Sequence, residues 1–199
     1  ERITLEGDTK GLRNANFSPK GRYVVAASND NTAKVWDTST GKLRKTIKHP
    51  NSVFNATFSQ DGKRIFTVSP SIVKVWNTST GKETTRKINS SSARADFSQD
   101  GRYFVTASGR TTDVWEISTG KLIGRLVGHN FLINHATFSP DGKHIVTASA
   151  DNTAKVWNIK EEKEKDGKVT KVTVELSATL KLHQVAVEYA TLSQYSPIY

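Results

Sequence analysis

Short apolar runs separated by turn residues fill the chain, and no helical period appears over any useful length. The stretch from Asn134 to Trp157 is representative. Asn134 to Phe138 reads as a strand entering the turn Ser139-Pro140-Asp141-Gly142, where Pro and Asp-Gly supply the turn dihedrals. Lys143 to Ser149, with Ile145 and Val146, reads as a second strand. Asp151-Asn152 makes the next turn, and Thr153 to Trp157 a third strand. Elsewhere a fourth strand follows Ser-Thr-Gly-Lys, as in Lys121-Leu122-Ile123-Gly124-Arg125-Leu126. The pattern predicts an all-β chain.

The strands belong to a repeat. One phrase recurs as Phe17-Ser18-Pro19-Lys20-Gly21-Arg22, Phe58-Ser59-Gln60-Asp61-Gly62-Lys63, Phe97-Ser98-Gln99-Asp100-Gly101-Arg102 and Phe138-Ser139-Pro140-Asp141-Gly142-Lys143, with Phe spacings of 41, 39 and 41. Val35-Trp36, Val75-Trp76, Val114-Trp115 and Val156-Trp157 trail these phrases and contain all 4 Trp residues. Thr38-Ser39-Thr40-Gly41-Lys42, Thr78-Ser79-Thr80-Gly81-Lys82 and Ser118-Thr119-Gly120-Lys121 follow in turn. A period near 40 residues with short strands marks a propeller or another repeat array.

On these phrases the chain resembles the WD-repeat β-propeller family over nearly its whole length. The resemblance implies blades of four antiparallel strands around a channel. It also implies an internal polar network joining a Gly-His pair, a hydroxyl, a turn Asp and the Trp. The fourth unit matches all of it: Gly128-His129, Thr147, Asp151 and Trp157. The first keeps Asp30 and Trp36 but has Ala26 at the hydroxyl position and Asp8 at the His position. The second has His49, Thr67 and Trp76, with Pro70-Ser71 in place of the turn Asp. The third has Thr106 and Trp115, no His, and Gly109-Arg110 in the turn.

The expected organisation is one propeller domain over 1–199: an outer strand at 1–7, blades at about 11–48, 52–88, 93–127 and 132–183, and a truncated fifth unit at 184–199. The propeller is expected to be partial, completed by further sequence or by another chain, so self-association is one expectation. The absent Met suggests a processed or excerpted chain. The stretch 160–172 exceeds its counterparts. Asp166-Gly167 between polar strand-like runs is a hairpin signal, which would project the last two strands of the blade beyond the propeller, while its mixed charge also suits a solvated loop.

Composition narrows the chemistry. With Cys 0, disulfides, thiolate metal sites and Cys nucleophiles are excluded. No apolar run approaches a membrane span of about 18 residues, and Glu1 to Leu5 is not a signal peptide. The formal net charge is +10. Strand alternation puts Lys20, Arg22, Lys63, Arg64, Arg102, Lys143, Lys42, Lys82 and Lys121 on one rim, against Asp61, Asp100 and Asp141. That rim is expected to be basic. The opposite face would carry Arg13, Asn51, Phe54, Arg94, Arg110, Phe131 and His135, of which the Arg and aromatic side chains are favoured interface anchors.

Catalytic readings fail. The repeat makes His129, Thr147 and Asp151 a structural network rather than a nucleophilic triad. His49, His135, His144 and His183 lack metal-ligand spacing, and the Gly-Lys pairs precede strands rather than helices. Inner-strand carboxylates amount to Asp96 and Glu188, in different units. The expectation is a non-enzymatic, cytoplasmic interaction scaffold or sensor without cofactor or metal. It would bind a protein or peptide through one face, in the style of bacterial arrays attached to signalling ATPases or kinases. The alternative is polyanion binding, to nucleic acid or an acidic surface, through the basic rim.

Overall fold

The computed structural model of the chain describes Leu5, Gly7, residues 10–88, 94–163 and 169–181, Val187, Ala190 and Thr191. Sixteen strands form four sheets of four, each antiparallel and in chain order. Blade 1 is β1 (Leu12–Phe17), β2 (Tyr23–Ser28), β3 (Thr32–Asp37) and β4 (Leu43–Lys48). Blade 2 is β5 (Asn55–Phe58), β6 (Arg64–Ser69), β7 (Ile72–Asn77) and β8 (Glu83–Lys87). Blade 3 is β9 (Arg94–Phe97), β10 (Tyr103–Ser108), β11 (Thr111–Glu116) and β12 (Leu122–Val127). Blade 4 is β13 (Ile133–Phe138), β14 (His144–Ser149), β15 (Thr153–Lys163) and β16 (Val169–Lys181). These are propeller blades, and they fall into two compact units: blades 1 and 2 lie in Glu1–Ala93, blades 3 and 4 in Arg94–Tyr199.

Each core lies between two blades. In unit 1, Val25, Ala27, Val35 and Ile47 of blade 1 cluster with Val53, Ala56 and Ile65. In unit 2, Tyr103, Val105, Val114 and Leu126 cluster with Ile133, Phe138, Ile145 and Trp157. The second strand of each blade reads as a continuous apolar run because both its faces are covered, as in Tyr23-Val24-Val25-Ala26-Ala27-Ser28.

The turns explain why the repeat phrase persists. Ser59 Oγ donates to Asp61 Oδ1 at 2.6 Å and accepts the Arg64 amide at 3.0 Å. Ser98 and Asp100 do the same around Tyr103. Gly62, at φ 67°, closes the turn by donating to the Ser59 carbonyl at 2.8 Å. The turns that lack the Asp between second and third strands are shorter. Pro70-Ser71 is a two-residue hairpin loop with Ser69 paired to Ile72 and Ser71 at φ 61°, the arrangement of a type II turn. Gly109-Arg110 does the same job between Ser108 and Thr111.

The 160–172 stretch continues the ladder: β15 and β16 stay paired out to Lys163 opposite Val169. Asp166-Gly167 lies outside the described residues. The expected projection is corrected, because the extension lies against blade 3. Ile159, Val172 and Val174 pack on the core of unit 2. Val172 and Val174 share one strand face, and an aliphatic face of this kind gains by being covered. The expected outer strand at 1–7, apart from Leu5 and Gly7, lies outside the described residues. So do Asp8 and Glu188. Of the expected fifth unit, Val187 donates its amide to the Ser149 carbonyl at 3.1 Å and accepts Asn134 Nδ2 at 3.2 Å.

Candidate interaction surface

The polar networks fix the loops that could meet a partner. In blade 4, His129 Nδ1 meets Asp151 Oδ2 at 2.8 Å and Nε2 meets Thr147 Oγ1 at 2.7 Å, while Trp157 Nε1 donates to the same hydroxyl at 3.0 Å. Burial pushes His129 below its ordinary pKa, against the pull of Asp151. Burial would raise the Asp151 carboxyl. Hydrogen bonds from Thr153, the Asn130 amide and His129 outweigh it and hold the group well below the usual carboxylate range. The ring is therefore neutral and the carboxylate charged at pH 7.

The other blades solve the same problem with different residues. In blade 2, Ser69 takes the place of the missing Asp: His49 Nδ1 meets Ser69 Oγ and Nε2 meets Thr67 Oγ1, both at 2.8 Å. In blade 1, buried Lys34 forms an ion pair with Asp30. Burial of Asp30 works upward, but hydrogen bonds from Lys34 and Thr32 prevail and leave it at about 2. In blade 3, Trp115 Nε1 donates to Thr106 Oγ1 at 2.9 Å.

The seven expected contact residues divide between the units. In unit 1, the Arg13 guanidinium lies over the Phe54 ring at 5.5 Å and its Nε donates to Asn29 Oδ1 at 2.7 Å. Ser52 Oγ reaches the Asn29 carbonyl at 3.3 Å, and Phe54 donates its amide to Val68 at 2.8 Å. Asn29, which the sequence pattern did not single out, thus joins the two loops. Asn51 is exposed in the same connection. In unit 2, Arg94 and Arg110 are exposed, and Phe131 is 63% exposed beside Leu132 at 59%. Their backbone is clamped: Ser149 Oγ donates to the carbonyls of Phe131 and Leu132 at 3.2 and 3.0 Å, and Asp151 accepts the Asn130 amide at 2.9 Å. Leu132 also escaped the sequence reading, because one apolar residue in a loop carries no periodic signal. His135 differs from its expected loop position. It sits half-buried on β13, where burial lowers its pKa and Asp96 opposes that shift.

Asp96 itself is structural. Its Oδ2 accepts Thr137 Oγ1 at 2.6 Å and the Phe138 amide at 3.0 Å, stitching β9 to β13. In unit 1, Asn14 and Asn16 join β1 to blade 2 by bonds to Asn55 and Ala56. The expected basic rim is partly neutralised. Arg102 pairs with Asp100 and Glu161, each at 2.6 Å. Glu161 was not counted against the rim because strand alternation assigns it no rim.

The sequence matches the family described as "WD domain, G-beta repeat" over residues 1–37, 41–77 and 120–158, more than half of the chain. Similar curated proteins include the "Ribosome biogenesis protein BOP1 homolog" of Aedes aegypti, 29% identical over 82 residues. The proteins of that name from Drosophila ananassae and Anopheles gambiae are 28% and 29% identical over 82 residues. Each match covers 36% of this chain and 10% of the relative, so the matched region spans about a tenth of those proteins.

Proposed function

Because the chain belongs to the WD-repeat family, we propose that it is a non-enzymatic scaffold that binds a protein or peptide through loop residues of unit 2, Phe131 and Leu132. The observation that carries this reading is the clamped, exposed Phe131-Leu132 dipeptide. Apolar side chains on a fixed backbone bind with little ordering cost. Covering on the order of 200 Å² of their surface would contribute about 5 kcal/mol before association costs. Arg94 and Arg110 add charged donors in the same unit.

Selection of displayed peptides against the whole chain tests the reading. Peptides should emerge whose affinity drops at least tenfold with Phe131→Ser plus Leu132→Ser, while the thermal melt stays unchanged. Selected peptides that ignore those substitutions would refute it.

A second reading is polyanion binding. It draws on the net charge of +10 and on the ribosome-biogenesis name of the relatives. Exposed Lys20, Lys42, Lys63 and Lys82 of unit 1 would carry it. Its signature is RNA affinity that falls steeply and linearly in a log–log plot against salt. Affinity indifferent to salt, or to changing those lysines to Gln, would exclude it.

A further inference from the structure

The two units contain equivalent clefts between their blades, finished in different ways. In unit 1 the cleft is open, with a volume of about 670 Å³. Tyr23 and Lys45 of blade 1 face Phe58 and Trp76 of blade 2, and Arg22 stands at its edge. In unit 2 the chain fills the corresponding space with its own hairpin. Ile159, Val172 and Val174 pack against a cluster that includes Tyr103, Phe138, Ile145 and Trp157. Glu161 closes the mouth: it accepts the Tyr103 hydroxyl at 2.7 Å and pairs with Arg102 at 2.6 Å. Strand pairing sets Ile159 opposite Val174 and Glu161 opposite Val172, so all four share one face of the hairpin.

The receiving groups recur in unit 1. Tyr23 and Arg22 occupy the repeat positions of Tyr103 and Arg102, and Trp76 that of Trp157. The Arg22 guanidinium lies over Tyr23 at 5.3 Å, as Arg102 lies over Tyr103 at 5.2 Å. The filling groups do not recur. Thr78 stands where Ile159 does, and the chain turns at once through Thr78–Gly81. Tyr103 and Trp157 are consequently 3% and 4% exposed, whereas Tyr23 and Trp76 stay half-buried.

Charge differs in the same sense. Lys20 replaces the Asp100 that holds Arg102, and Lys45 replaces Gly124. The Lys45 ammonium sits 3.9 Å from the centre of the Trp76 ring. Arg44 is engaged by Asp37, which leaves Arg22 and Lys45 as the cations an incoming group meets.

We propose that the unit 1 cleft docks an extended, carboxylate-bearing segment of a partner protein. Its recognition element is an aliphatic residue followed two positions later by a carboxylate. The aliphatic side chain covers Trp76, and the carboxylate accepts the Tyr23 hydroxyl and pairs with Arg22. The cleft's lining shares no residue with the loops assigned above, so the inference goes beyond that reading and stands or falls separately. The hairpin of blade 4 is the template: it shows what chemistry such walls accept, with three aliphatic side chains for the floor and one carboxylate, Glu161, for register.

The test uses the whole chain and a fluorescein-labelled peptide copying residues 159–174. Saturable binding is expected by anisotropy, with a shift of the Trp76 indole N–H resonance, assigned through Trp76→Phe. Changing the Glu161 equivalent in the peptide to Gln, or Arg22→Gln or Tyr23→Phe in the protein, should weaken binding at least fivefold. If Tyr23→Phe lowers the melting temperature, Arg22→Gln carries the comparison, since Arg22 is exposed. Three results overturn the proposal: no saturable binding, equal binding of the Gln peptide with displacement by inorganic phosphate, or a dimer of the chain that the peptide dissolves. The second would mean generic anion attraction, and the third a second copy of the chain as occupant.

Discussion

Replacing Thr147 by Val isolates the energy of the blade 4 network. Thr147 is 0% exposed, and Val preserves its shape while removing the hydroxyl. With Asp151 accepting from Nδ1–H, His129 Nε2 accepts the Thr147 O–H, and the oxygen accepts the Trp157 indole N–H. The substitution leaves two buried groups, the imidazole nitrogen and the indole N–H, without that partner. Each such group costs about 1–3 kcal/mol, so Thr147→Val should destabilise by about 2–6 kcal/mol. Thr106 is the internal control. It accepts only an indole, from Trp115 at 2.9 Å, in a blade without His. Thr106→Val should cost about 1–3 kcal/mol, roughly half as much. Urea unfolding at pH 7, followed by Trp fluorescence, reads both from the midpoint and slope. The reasoning is refuted if the two variants cost the same within about 0.5 kcal/mol, a resolvable difference.

Acid should act through blade 2. Burial, reinforced by Lys74, lowers His49 from 6.5 to about 4. The unfolded ring takes the proton first, so its contribution is intact above pH 6.5 and lost as pH falls toward 4, about 3 kcal/mol in all. Urea midpoints at pH 7 and 4.5 should lie closer together in His49→Gln than in the parent, and identical losses would refute the assignment. Tyr103→Phe removes a donor to a carboxylate and should cost about 1.5–3 kcal/mol, whereas Tyr23→Phe should cost under about 0.5 kcal/mol, as thermal melts would show. Replacing residues 159–175 by Thr-Ser-Thr-Gly-Lys removes Ile159, Val172 and Val174 from the core. That should cost about 3 kcal/mol and red-shift Trp emission, and an unchanged emission maximum would count against the packing role.

The architecture was readable because its signals are local. Ser59, Asp61 and Gly62 complete their turn within a few residues, so a recurring phrase reports a recurring turn. Phe-Ser-Asp-Gly, Val-Trp and Thr-Gly-Lys therefore fix strand order and register together. The blade 4 network was readable for a different reason: its four members stand at their family positions. Its substitutes were not. Ser69 standing in for an Asp, and Lys34 buried against Asp30, both look like ordinary polar strand residues until the neighbours are known. Loss of the motif residues in a blade therefore did not mean loss of the buried polar contacts.

Longer reach explains what the repeat concealed. Tyr103 and Glu161 are 58 positions apart, and no period of the sequence connects them. A repeat specifies what every blade shares: a hydrogen-bonded turn, an apolar second strand, a Trp on the third strand. Such positions are committed to packing and cannot distinguish one partner from another. Distinction must come from positions where sibling blades differ. Lys20 against Asp100, Lys45 against Gly124 and Thr78 against Ile159 are three such differences, and all three alter the same cleft or its rim. Together they exchange a closed neutral seam for an open cationic one without disturbing the strands beneath. In a fold of near-identical blades, recognition is therefore best sought where the copies disagree, with the filled copy indicating the shape of what the open copy receives.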